Sequence, residues 1–331
     1  MMTALAGFVF CAALIFQSGR RLSHYGDKVA GLLGWSRGWV GLVLMATVTS
    51  LPELLVGISS AAWVGSADLA AGDIFGSCAL NMAILAMLDA LVPGKKPLTG
   101  VAAAGHALAA ALGAVLLSLA GLALFLSQRV PVLPWVGLSS VGLVLVYLVA
   151  VRLLHAGEQK RVAVELPSSD EGGGSRTEVL PWFAFHALVI VVAALALPQF
   201  AERIAQETGL GRTFVGTLLL AASTSLPELA VSAAAVRMGS IDMAVGNLLG
   251  SNVFNILILA VDDLFYTRGV LLADASPLHL ISVLCTLMMS AVLTVGLLFQ
   301  PAGKRFLLAW DALTILLIYL GNMVLLYRLG A

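Results

Sequence analysis

The stretch TVTSLPELLVG, residues 47–57, returns later in the chain as STSLPELAVS, residues 223–232. Each copy carries the same five residues, Thr49-Ser50-Leu51-Pro52-Glu53 and Thr224-Ser225-Leu226-Pro227-Glu228, and each lies inside a long apolar run. Two features are costly there. A glutamate is expensive in hydrocarbon, and a proline removes one helical hydrogen bond. Together they answer each other. Pro52 takes the helical partner from the carbonyl of Val48, and Pro227 takes it from the carbonyl of Ser223; a carbonyl away from water needs another partner. A cation is such a partner. Thr49, Ser50, Thr224 and Ser225 add neutral oxygens, Glu53 and Glu228 add negative charge, and hard cations such as Ca²⁺ and Na⁺ bind oxygens of these kinds. One copy reads equally well as a proline kink with a hydrogen-bonded glutamate. Two copies point to a cation site.

The repeat extends well past the motif. VGLVLMATVTSLPELLVG (40–57) aligns with VGTLLLAASTSLPELAVS (215–232), and GSADLAAGDIFGSCALNMAILAMLDAL from Gly65 aligns with GSIDMAVGNLLGSNVFNILILAVDDL from Gly239. The 331 residues are 60% hydrophobic and 11% charged, with a mean hydropathy of +1.01; a soluble domain carries about 25% charged residues. Apolar runs long enough to span a bilayer as helices number about ten. They lie near 3–19, 38–64, 67–92, 99–126, 132–155, 180–204, 211–237, 241–265, 277–299 and 306–329. The expected fold is an all-α integral membrane protein of about ten transmembrane helices. It divides into a first five-helix half (1–155), a linker (156–179) and a second five-helix half (180–331). An odd number of helices per half inverts the second half in the membrane, and inverted repeats place a site at their interface near the midplane.

The second repeated element adds to that site. Ser77 and Asn81 lie four apart, as do Ser251 and Asn255, so each pair shares a helix face. Gly72, Gly76, Gly246 and Gly250 suit close helix packing, the site, or both. Asp68 and Asp242 follow Ser66 and Ser240 at helix starts and read as caps and dipole partners. Asp89, Asp262 and Asp263 read as interfacial residues at helix ends. Cys11, Cys78 and Cys285 read as structural thiols, and His106, His186 and His279 as satisfied helix histidines.

Lysine and arginine set the expected orientation. The first run lacks a basic segment before it and is read as a spanning helix with the N-terminus outside. With ten spans, thirteen basic residues then fall inside and five outside. The polar stretch 155–179 becomes a flexible cytoplasmic linker, and Asp170 and Glu171 in it lack calcium-loop spacing. The balance of 18 basic and 18 acidic residues, with no basic aromatic patch, gives no sign of a nucleic-acid partner. The expected surroundings are membrane lipid, in a bacterial inner membrane. Oligomeric state is not legible. No GxxxxGK[ST] or HExxH stretch occurs, which argues against an ATP-driven pump and a zinc hydrolase.

These paired motifs resemble the two α-repeats of the calcium/cation antiporter superfamily, in its sodium/calcium exchanger-like branch. The resemblance covers both repeats and the ten-helix plan. It implies that Glu53 and Glu228 are the central acidic ligands, with Thr49, Ser50, Thr224 and Ser225 beside them and Ser77, Asn81, Ser251 and Asn255 lining the same cavity. It further implies ligation by the backbone carbonyls of Ala46 and Ala221. Sodium/calcium exchangers commonly carry aspartate where this chain has Asn255, and asparagine where it has Asp73 and Cys78. Two carboxylates balance one Ca²⁺, two Na⁺ or two H⁺. Asp73 either restores charge or bonds nearby backbone. The implied function is secondary antiport of Ca²⁺ against Na⁺, without cofactor or enzyme activity. Antiport of Ca²⁺ or another divalent cation against H⁺ is the alternative on the same fold, and a cation channel or an intramembrane hydrolase stand further off.

Overall fold

The computed structural model describes residues 2–126, 132–133, 135–164, 176–208, 222–304 and 306–330. Helices dominate: α1 (Met2–Leu33), α2 (Arg37–Val64), α3 (Ala67–Leu91), α4 (His106–Leu126), α5 (Leu138–Val164), α6 (Arg176–Thr208), α7 (Leu226–Arg237), α8 (Ile241–Phe265), α9 (His279–Phe299) and α10 (Trp310–Gly330). Among the described residues all but α7 are long and apolar enough to cross a membrane. The expected span 211–237 is described from residue 222 onward, so its first part lies outside the described residues. A small antiparallel pair, β1 (Val132–Leu133) and β2 (Val136–Gly137), leads into α5.

Several boundaries differ from expectation. The helix α1 runs far past the apolar run 3–19, so Arg20, Arg21 and Lys28 sit on a helix and not in a loop. The reason is visible in its inner face: Leu22, Ser23, Gly26, Val29 and Ala30 continue the buried stripe at helical spacing, with the charges on the other side. Likewise α5 and α6 extend into the polar stretch expected to be a linker, leaving 165–175 outside the described residues. The first apolar run of 99–126 is split, with a single turn at Leu98–Val101 before α4.

Both proline motifs break their helices in the same way. In α2 the helix stops at Ser50 (φ −90°, ψ 5°) and restarts at Leu51, with Pro52 in the first turn of the new segment. Ser225 (φ −88°, ψ 6°) and Pro227 repeat this ahead of α7. A proline is tolerated in a first turn because that N–H has no helical acceptor. Further along α2, Gly41–Met45 and Ser60–Val64 are wound as π turns, a local distortion that recurs at functional sites.

The two halves are interlocked. The most enclosed spans are α3 and α8, and they cross each other at the centre. The helix α8 packs against α4 and α5 of the first half, while α3 packs against α9 and α10 of the second. The helix α1 lies along α6 and α7, and α6 also touches α2. Glycine allows the closest crossing. A Cβ added at Gly250 would meet Ala46 Cβ at 2.8 Å and collide with the Leu42 carbonyl, so α2 and α8 touch backbone to backbone there.

Candidate cation-binding site

The restarted segments after Ser50 and Ser225 aim Glu53 and Glu228 inward from opposite halves, each 1% exposed. Thr49, Ser50, Thr224, Ser225, Ser77, Asn81, Ser251 and Asn255 are all buried. Ser50 Oγ donates to Glu228 Oε1 at 3.2 Å, and Ser251 Oγ donates to the same oxygen at 3.4 Å. Thr49 Oγ1 lies 3.3 Å from Asn247 Oδ1 and 3.4 Å from Ser251 Oγ. Thr224 Oγ1 donates to Asp73 Oδ1 at 3.3 Å, and Ser225 Oγ to Ser77 Oγ at 3.3 Å. The Thr49–Asn247 and Thr224–Asp73 contacts are equivalent across the repeat, since Asp73 and Asn247 occupy the same place in it.

Where the two halves meet, Cys78 and its counterpart Asn252 contact each other. Asn252 Nδ2 donates to the Cys78 carbonyl at 3.3 Å, and Cys78 Sγ lies 4.0 Å from the Asn252 carbonyl. Asn81 Nδ2 donates to Asn252 Oδ1 at 3.1 Å, and Asn255 Nδ2 reaches Cys78 Sγ at 3.8 Å. The amide N–H groups of Asn81 and Asn255 are therefore spent on this seam, and their oxygens are left over.

That leftover set defines the chemistry. Among the described residues Glu53 Oε2, Glu228 Oε2, Asp73 Oδ2, Asn81 Oδ1 and Asn255 Oδ1 are buried without a hydrogen-bond partner. All five are acceptors. Buried unpaired acceptors are costly, and a cation satisfies several of them at once. Among the described residues no three acidic, histidine or cysteine side chains converge as a compact metal cluster; charge and neutral oxygens are mixed here.

Among the described residues Asp73 accepts from Thr224 with one oxygen and its other oxygen has no partner. The Ala46 carbonyl accepts from Ser50 N at 3.0 Å and from Thr49 Oγ1 at 3.4 Å. Ala221 lies outside the described residues. Asn247 and Asn252 escaped the sequence reading, although aligning the repeat around Asp73 and Cys78 would have found them. The aspartates expected at interfaces are buried instead. Asp89 accepts from Leu98 N at 2.6 Å and Ala309 N at 2.7 Å. Asp263, its counterpart, accepts from Leu271 N at 2.7 Å, Gly137 N at 2.9 Å and Ser140 Oγ at 2.6 Å. Both tie down chain ends that a helix cannot satisfy. Asp68 and Asp242 lie in the first turns of α3 and α8, as a dipole partner should, and also hold neighbouring segments. Asp242 takes Ala103 N and His106 Nε2 at 2.8 and 3.0 Å; Asp68 takes Ser276 N and His279 Nε2 at 2.5 and 3.2 Å. His186 has Nδ1 unpaired and stacks on Tyr25 and Trp182.

Comparison with known proteins follows the same outline. The family model described as "Sodium/calcium exchanger protein" matches residues 3–153 and 179–328. CaxA of Alkalimonas amylolytica is 27% identical over 317 residues, 95% of each chain. The sodium/calcium exchanger MaX1 of Methanosarcina acetivorans is 34% identical over 139 residues, 42% of this chain and 37% of its own. Among solved structures, the sodium–calcium exchanger NCX_Mj soaked with Na⁺ and Sr²⁺ superposes with a TM-score of 0.76 at 22% identity, covering 98% of both chains.

Proposed function

The chain belongs to the sodium/calcium exchanger protein family, and from that premise we propose that this membrane antiporter moves Ca²⁺ in exchange for Na⁺ at the Glu53–Glu228 centre. The observation that carries the reading is the group of five buried, unpaired oxygens from both halves: Glu53, Glu228, Asp73, Asn81 and Asn255. Ca²⁺ takes six to eight oxygens, roughly, and the hydroxyls of Thr49, Ser50, Thr224, Ser225, Ser77 and Ser251 with the Ala46 and Ala221 carbonyls are the further candidates.

Exchange follows from the charge. Two buried carboxylates without a cation are too costly to carry through a low-dielectric barrier. The site therefore changes the side it faces only when loaded, by one Ca²⁺ or by Na⁺ ions of equal charge. That requirement couples the two fluxes without a nucleotide. Proton coupling is the second reading, favoured by the neutral amide of Asn255 at a place where sodium/calcium exchangers commonly carry aspartate.

Uptake of ⁴⁵Ca²⁺ into proteoliposomes under imposed Na⁺ or pH gradients tests both. An outward Na⁺ gradient should drive uptake. Uptake driven by pH alone selects the proton reading, and downhill flux needing no counter-ion would mark a channel. Glu53→Gln and Glu228→Gln keep the shape and remove one charge each, and either should bring exchange to background. Parent-like exchange in both variants would remove the centre from the mechanism.

A further inference from the structure

The charged end of α1 packs against the start of α6, and cations and rings interleave there. Gln17, Arg21, His24 and Lys28 follow one another at four, three and four residues, so they form one stripe along α1. It runs beside the buried stripe that holds Leu22 and Val29. Tyr25, between Arg21 and Lys28, stacks on two rings of α6. Trp182 lies 6.5 Å away between centroids with the planes 9° apart, and His186 lies 5.9 Å away with the planes 19° apart. Phe185 meets Trp182 edge-on, and Lys28 Nζ lies 5.6 Å from the Tyr25 centroid. Arg21 is exposed. Two acids stand on the same helices. Asp27 is taken by Arg37 and by Ser240, and Glu178 is exposed one turn before Trp182. Among the described residues neither Arg21 nor Lys28 has a carboxylate partner.

The repeat shows what packing alone needs at this place. By the register that aligns Val40 with Val215, Tyr25 corresponds to Phe200 and Trp182 to Gly7. The equivalent contact exists at the other end of the same helix pair, where a Cβ at Gly7 would meet the Phe200 ring at 2.5 Å. One ring over a bare glycine is enough to hold α1 on α6 there. Arg21, His24 and His186 have Ala196, Gln199 and Cys11 as counterparts, and only Lys28 keeps a cation, in Arg203. The added rings and cations at the Tyr25 end therefore serve something other than the helix contact. Trp182 and Phe185 are both about half exposed, at 51% and 52%. From Phe185 the exposed apolar stripe of α6 continues through Leu188 and Val192 toward the middle of the span.

We infer that this seam between α1 and α6 binds the headgroup of an anionic glycerophospholipid from the adjoining leaflet. Arg21 and Lys28 stand two turns apart, about 10 Å along the axis, and their long side chains reach toward one phosphate between them. Arginine offers paired N–H donors to phosphate oxygens and lysine a point charge. Tyr25 and Trp182 have the amphipathic rings that suit headgroup depth. One acyl chain lies along Phe185, Leu188 and Val192. That stripe separates a lipid from a soluble phosphate, which gains nothing from exposed apolar surface. A zwitterionic lipid carries its own cation beside the phosphate and gains less from Arg21 and Lys28. Lipid binding here goes beyond the exchange reaction and needs no ion at the Glu53–Glu228 centre.

Trp182 reports the site directly. The full chain is placed in phosphatidylcholine vesicles doped with brominated phosphatidylglycerol or with brominated phosphatidylcholine. The fluorescence quenching that Trp182→Phe removes isolates this ring from the other tryptophans. The parent should prefer the anionic lipid by about 10-fold, the order expected for two cations facing one phosphate. Arg21→Gln combined with Lys28→Gln should abolish the preference and leave quenching by brominated phosphatidylcholine as in the parent. Lys95→Gln combined with Lys96→Gln removes two exposed cations elsewhere and should keep the preference. Inorganic phosphate in excess should not relieve the quenching. If the Arg21 and Lys28 double variant does not fold, Lys28→Gln alone should lower the preference about 3-fold. Equal quenching by the two lipids in the parent would overturn the assignment, as would a preference untouched by the Arg21 and Lys28 changes. Loss of the preference in the Lys95 and Lys96 variant would reduce it to the general field of the surface, and relief by inorganic phosphate would make it a soluble-anion site; either result also overturns it.

Discussion

Asn81 and Asn255 hold the same place in the two halves, and each donates its N–H to the seam and leaves its oxygen unpaired at the centre. Adding charge there should alter ion demand. Asn255→Asp puts a further carboxylate beside Glu53, Glu228 and Asp73, and crowded carboxylates need additional positive charge to stay buried. Exchange by this variant should depend more steeply on Na⁺, or on pH, than exchange by the parent. Hill slopes and pH profiles from the same liposomes check it; matching curves would place Asn255 away from the ion. At this scale the sequence was informative wherever charge violated its surroundings. Glu53 and Glu228 could be found because an acid amid apolar residues is costly. Asp262 could not, because a run of polar residues at a helix end looks solvated whether it is or not. Its burial comes from α2, where Gly57 lies against it, a contact that no local pattern encodes.

Among the elements, the α2–α8 contact sets how near the two motifs can come. Gly250 lets the Leu42 carbonyl and Ala46 approach α8 directly. Gly250→Ala would force the helices apart beside Ser251 and Thr49, at a cost of about 1–3 kcal/mol if the strain is that of ordinary overpacking. A lower unfolding temperature in detergent, together with weaker Ca²⁺-dependent stabilisation, is the expected result; an unchanged melting curve would mean the contact relaxes freely. The spans themselves were legible to within a few residues where apolar length decides them, as in α8, where 241–265 was expected and Ile241–Phe265 is found. They were not legible where a helix outlasts its apolar run. The continuation of α1 to Leu33 is driven by a buried stripe facing α7 and α2, with polar residues between its members.

For the whole molecule, charge sets the orientation to test and packing sets the assembly. With thirteen basic residues expected on the side of the 155–179 stretch and five on the other, the positive-inside rule predicts that stretch in the cytoplasm and residues 1 and 331 on the opposite side. A membrane-impermeant thiol reagent on intact cells should miss a cysteine at Ser169 and label one at Ala331; the reverse pattern would invert the topology. The crossing of α3 and α8 bears on assembly. Each packs against the fourth and fifth helices of the opposite half, so neither half buries its own central helix. Residues 1–155 and 180–331 expressed separately should give no Ca²⁺-protected species, while co-expression should restore one; a single half that binds Ca²⁺ would contradict the interlocked packing. The order of synthesis gives this packing a further consequence. When α3 enters the bilayer, its partners α9 and α10 have not yet left the ribosome, so Glu53 and Asp73 must wait in an unfinished bundle. An ion-binding centre, and with it any path for leakage through one, comes into being only once α10 has been made.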